Sequence, residues 1–123
     1  MNKEVKQQWV AALRSGEYKQ GKNALRRQYE GEDAEFCCLG VLCDLAVKAG
    51  VVKAHQVDGA HTGYGENKNT ALLPVEVQEW SGVNEAGEFK TGDEPFMRDA
   101  LTAYNDFLGK TFNQIADVIE EHF

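Results

Sequence analysis

Phe36-Cys37-Cys38-Leu39-Gly40-Val41-Leu42-Cys43-Asp44-Leu45-Ala46 is the stretch whose reading decides the fold. It is the one place in the 123 residues where apolar side chains fall on every side of the chain. From about Cys38 to Ala49 the spacing predicts a helix, with Leu39, Leu42, Cys43 and Ala46 on one face and Val41, Leu45 and Val47 on the others. A helix that is apolar nearly all round is a buried helix, so the remainder should be arranged to cover it. Gly50 is its expected stop. Gly40, in the first turn, costs up to about 1 kcal/mol of helix propensity relative to Ala, and close approach by another backbone is the simplest reason for it. Asp44 lies within this buried helix and needs a partner, which Arg26 or Arg27 would supply.

Upstream, Val5, Trp9 and Leu13 recur at i, i+4 and i+8 with Ala12 beside them, which predicts an amphipathic helix over residues 3–14 ended by Ser15-Gly16. Residues 17–23 lack a period and read as a turn. Ala24 to Tyr29 reads as a short strand, and Glu30-Gly31-Glu32-Asp33 as a hairpin turn into Glu35-Phe36-Cys37.

Downstream, a brief Val51-Val52 extension precedes residues 58–70, which hold three glycines and almost no aliphatic residue. That segment reads as an exposed loop, either a linker or a binding lid. Leu73, Val77 and Trp80 mark a one- or two-turn helix with Pro74 at its first position and Gly82 as its stop. Residues 83–89 read as a turn and a weak strand. Asp93 is expected to cap a helix with Pro95 in its first turn and Phe96, Ala100, Tyr104 and Phe107 on one stripe. Gly109 ends it, and Thr111-Phe112-Asn113-Gln114 opens another helix with a capping-box pattern. The two last helices, joined by few residues, should pack as an antiparallel or steeply crossed pair. The expected architecture is one α+β domain over residues 1–123, mostly helical, with a small antiparallel sheet or hairpin and a buried central helix.

The totals restrict function. A composition of 42% hydrophobic and 27% charged residues is that of a folded chain of one-domain size. No apolar run approaches the roughly 20 residues needed to span a bilayer, and Met1-Asn2-Lys3-Glu4 carries no signal core, so a cytosolic location is expected and no membrane partner. The net charge of −7 is uneven: residues 1–30 carry seven Lys/Arg against three Glu, and the remainder six against seventeen Asp/Glu. An acidic body argues against direct nucleic-acid binding. Three cysteines, two of them adjacent, suit a reduced compartment and show no zinc spacing, so neither a metal nor a cofactor is expected.

Two kinds of chemistry are worth weighing. Cys37 or Cys38 at a helix N-terminus would favour a thiolate, but the histidines, His55, His61 and His122, stand in no recognisable arrangement with them. Core packing is the competing reading. For anions, Gly59-x3-Gly63-x-Gly65 lacks the Lys-Ser/Thr of a P-loop and follows no convincing strand. A better anion site is the set Arg14, Lys19, Lys22, Arg26 and Arg27 around a turn, which would hold a phosphate with Tyr18 and Tyr29 nearby to stack on a base, joined by His61 and Tyr64 from the glycine-rich loop. A solvated basic face paired with the acidic body is the alternative.

Four patterns stand out together: Trp9-x3-Leu13-Arg14-Ser15-Gly16-x-Tyr18-x-Gln20-Gly21, Phe36-Cys37-Cys38-Leu39-Gly40-Val41-Leu42-Cys43-Asp44, Leu73-Pro74-x2-Val77-x2-Trp80, and Asn105-Asp106 ahead of Thr111-Phe112-x2-Ile115-Ala116-Asp117-x-Ile119-Glu120. In these patterns the chain resembles a family of small uncharacterised proteins of bacteriophages and prophages. The resemblance touches most of the chain and carries over no catalytic or binding residue. It implies a phage accessory protein acting in the cytoplasm of a bacterial host. The expected function is binding of a host component, as an anti-defence inhibitor of a host protein or as a sponge for a phosphorylated nucleotide signal. Self-association is also allowed. The alternative is a small enzyme using Cys37 or Cys38.

Overall fold

In the computed structural model, which describes residues 1–123, the helices are α1 (Lys3–Arg14), α2 (Cys38–Lys48), α3 (Val75–Ser81), α4 (Leu101–Asp106) and α5 (Phe112–His122). The strands are β1 (Lys19–Gln20), β2 (Arg26–Arg27), β3 (Glu35–Phe36), β4 (Ala54–Gln56), β5 (Thr62–Tyr64), β6 (Glu88–Lys90) and β7 (Arg98–Ala100). Helix takes about 38% of the residues and strand about 16%, so the domain is mixed α+β and helix does not make up most of it.

The cysteine-rich stretch is the centre. Cys38 through Cys43 and Ala46 are buried on α2, and a single core surrounds them. α1 covers α2 with Val5, Trp9 and Leu13, and α5 adds Phe112, Ile115, Ala116 and Ile119. Trp9 anchors the contact, its Nε1–H donating to the Cys38 carbonyl at 3.0 Å. Gly40 is required sterically: a Cβ there would overlap the Leu25 carbonyl oxygen.

β3 leads into α2 and lies between β1, which it pairs in parallel, and β2, which it pairs antiparallel. β1 occupies part of the segment read as a turn; two residues give no readable period. β2 is shorter than the expected strand, because Ala24 and Leu25 sink into the core, with the Leu25 N–H bonded to the Thr70 carbonyl at 2.8 Å.

Residues 58–70 do not form an exposed loop. β4 and β5 form an antiparallel hairpin across this region, and Thr62, Gly63, Tyr64 and Gly65 are buried. The hairpin docks beside β2 through an antiparallel bridge between Arg27 and His61. What is buried here is backbone and one aromatic ring: a Cβ at Gly63 would lie 2.6 Å from the Lys68 carbonyl oxygen. Counting aliphatic residues misses a segment that packs in this way.

The single helix expected from Asp93 is also absent. β7 pairs antiparallel with β6, and only then does α4 begin. The Glu88–Lys90 strand would otherwise leave its backbone groups unpaired, and β7 satisfies them. Phe96 and Phe107, expected on a buried stripe, are both exposed, and Pro74 is the N-cap of α3 rather than its first residue. The capping box at Thr111 forms as expected, and α4 and α5 pack together, α5 also lying along α1.

Candidate functional site

Cys37 is the N-cap of α2 and Cys38 its first residue, so both thiols stand where a helix dipole favours a thiolate. Burial works against that. It pushes Cys37 up to about 11, and Cys38 and Cys43 well above their ordinary value. The Cys38 thiol instead lies 3.8 Å from the Leu101 carbonyl oxygen. Cys37 gives α2 no side-chain cap, and the buried Cys38 N–H donates to a side chain from another helix, Asn105 Oδ1 at 3.2 Å. Buried Asn105 also accepts from Gln20 Nε2 at 2.9 Å and donates to the Gly21 carbonyl at 2.8 Å. Sequence reasoning gave Asn105 no role. The available signal was a polar residue four positions after Leu101, on the core side of a short helix.

The five cations of the N-terminal segment are dispersed. Arg14 reaches α5, 2.6 Å from Asp117 and 3.5 Å from Glu120. Lys19 and Arg27 flank Glu35 from the two neighbouring strands, at 3.5 and 3.3 Å. Arg26 donates to Thr62 Oγ1 at 3.1 Å and lies over the Phe36 ring. Lys22 alone is exposed with no ion pair. The expected partner of Asp44 is corrected as well: its carboxylate accepts from the Tyr18 hydroxyl and pairs with Lys48 at 3.1 Å, one turn along α2, while Arg26 and Arg27 bond elsewhere. Burial and the Asp44 bond raise the Tyr18 hydroxyl, and Tyr18 and Asp44 together raise the Lys48 ammonium.

Some of the expected ligand residues do meet. Arg26, Arg27 and His61 come together where the β4–β5 hairpin docks on β2, but Tyr64 is only 1% exposed and offers no stacking face. The glycine-rich tip has its own anion. The Asp58 carboxylate accepts the Ala60 and His61 N–H groups, each at 2.8 Å, and those bonds together with the His61 ring lower it to about 2. The glycine-rich tip follows strand β4, where the sequence showed no convincing strand. Arg14 and Tyr18 share a depression of about 260 Å³ with Gln20, Thr111 and Asn113. Larger depressions of about 360 and 380 Å³ lie between α1 and α5, beside Lys3 and Lys6, and around Lys53, His55, Glu66 and Glu76. No group of three or more His, Cys, Asp or Glu side chains is placed to hold a metal ion, and no helix is long and apolar enough to cross a membrane.

The acidic side chains are arranged differently from the cations. Sixteen of the twenty Asp and Glu residues are exposed, and eleven of those sixteen have no ion-pair partner. Five of the eleven lie at two hairpin tips. Glu30, Glu32 and Asp33 occupy the turn between β2 and β3 with Tyr29, whose ring is covered by the Arg27 guanidinium at 5.5 Å. Asp93 and Glu94 occupy the turn between β6 and β7 with Phe96, which is 78% exposed.

Compared with known proteins, the whole chain, residues 1–123, matches one family model, described as a domain of unknown function (DUF8296). No curated protein and no solved structure matches it.

Proposed function

We propose, from the premise that the chain belongs to the DUF8296 family of uncharacterised domains, that it is a non-enzymatic docking protein that binds a basic host protein through its acidic surface. The resemblance to phage and prophage proteins supplies the setting: a phage accessory protein in the bacterial cytoplasm, acting as an anti-defence inhibitor or redirecting a host process. One observation carries the reading. Eleven exposed carboxylates are left without ion pairs, whereas the cations that would have made an anion site are mostly spent on internal partners. Unpaired like charge on a surface steers an oppositely charged partner and raises its association rate.

Affinity capture from bacterial lysate tests it. A basic protein is expected to co-purify in stoichiometric amount at low salt and to be released as salt rises. Absence of any stoichiometric partner sinks the reading. The nucleotide-sponge version has one observation in its favour, the meeting of Arg14 and Tyr18 in one depression. A thermal-shift screen against nucleotides separates the two, since a ligand bound well above its Kd raises the unfolding temperature by several degrees.

A further inference from the structure

We infer that the β6–β7 turn is the docking point of this surface, with Phe96 entering an apolar pocket on the partner whose rim carries Lys or Arg; the inference rests on the docking reading above. Phe96 is 78% exposed, yet its turn is tightly tied. The Thr91 N–H donates to the Met97 carbonyl at 2.7 Å, the Met97 N–H to the Glu94 carbonyl at 3.0 Å, and the Arg98 N–H to the Phe96 carbonyl at 3.0 Å. Pro95 fixes one backbone angle of the Glu94-to-Met97 turn. Met97 folds back onto Gly92, where a Cβ would collide with its sulfur. The ring is therefore held out in water on a preorganised turn, which lowers the ordering cost when it is buried against a partner.

The charges around the ring select the partner. Asp93 and Glu94 are exposed and have no ion pair, and Arg98 in the stem is engaged with Glu88 at 3.4 Å. A buried aromatic anchor with a charged rim is the usual anatomy of an interface hot spot, and a carboxylate rim is complemented by cations. Two other exposed aromatics lack this combination. Tyr29 is already covered by Arg27. Phe107, 81% exposed, has beside it only Asp106, whose carboxylate is taken up by the Asn23 N–H and the Asn105 amide.

The test uses the full chain carrying Phe96→p-benzoylphenylalanine, or in a second protein Phe107→p-benzoylphenylalanine, each illuminated in bacterial lysate, with the crosslinked peptides sequenced. Position 96 is expected to crosslink to one segment containing apolar residues beside Lys or Arg, and position 107 is not. Unlabelled wild-type protein should compete this product away, with Phe96→Ala roughly 30-fold weaker, as for a hot-spot aromatic. Asp93→Asn with Glu94→Gln should weaken competition at low salt and little at high salt. All three side chains are exposed, so these variants should unfold at the wild-type temperature. Equal competition by Phe96→Ala, no crosslink from position 96, or a crosslink to an acidic segment overturns the inference. If lysate capture still yields a basic partner, the docking reading survives that result; if capture also yields nothing, both fall.

Discussion

At Gly40 two effects oppose one another. Helix propensity favours Ala over Gly by about 1 kcal/mol in a helix interior, but a Cβ at this position would overlap the Leu25 carbonyl oxygen. That neighbour is backbone, held by hydrogen bonds of residues 24 and 25 to Cys37 and Thr70, and cannot swing aside. Gly40→Ala is therefore expected to destabilise by more than about 3 kcal/mol, read as a fall in the urea midpoint, despite its better propensity. The need for a close approach was readable from a glycine inside an otherwise strong helix; the identity of the approaching chain was not. The cysteines are the second case. With Cys37 raised to about 11 and the other two thiols also held well above their ordinary value by burial, iodoacetamide at neutral pH should leave all three unmodified until the chain unfolds. Burial favours the protonated thiol, so the stability that follows is whole below about pH 8.5 and is lost as pH rises through about 11. Rapid alkylation of the folded protein at neutral pH would restore the thiol-enzyme alternative.

Elements depend on groups outside themselves. α5 carries its own cap: Thr111 and Gln114 satisfy one another's backbone N–H groups, and both lie within four residues, so the boundary was legible. α2 has no such pattern, because its cap is Asn105, 67 positions away. Asn105→Ala would leave the Cys38 N–H and the Gly21 carbonyl without their partners in a buried site. The expected loss is about 2–4 kcal/mol, measured by denaturant unfolding, with faster amide exchange at Cys38. The segment from Asp93 to Leu108 was misread for a related reason. Its apolar residues recur at helical spacing, but Phe89 needed β7 beside it, and the strand pairing outweighed the local period. The exposed Phe96 is a product of that outcome.

At the scale of the molecule, the two ends of the chain close over the middle. α1 lies on α2, and α5 lies beside α1 and against α4, linked to α1 by Arg14 to Asp117 and by Lys6 Nζ to the Glu120 carbonyl at 3.2 Å. Both contacts are exposed and contribute little compared with the apolar side chains beneath them. Removing residues 111–123 takes away Phe112, Ile115, Ala116 and Ile119 and uncovers Trp9 and the faces of α1 and α4 that α5 packs on. The shortened chain is expected to lose its cooperative thermal transition in calorimetry, whereas a retained sharp transition would show that α5 is an accessory to the core. The sequence by itself determined the buried α2, the helices at both ends, the hairpin into Phe36, the stops at Gly16, Gly50 and Gly82, and the Thr111 cap. Each depends on residues within a few positions of one another, where periodicity and backbone conformation act directly. Only the tertiary structure decided that Asn105 caps α2, that Asp44 bonds Tyr18 and Lys48, that the second strand of the glycine-rich hairpin is buried, that the basic turn is spent on Glu35 and Asp117, and that Phe96 faces water. In each of these the deciding partner is distant in sequence, and the energy lies in desolvation and long-range pairing that no local period records.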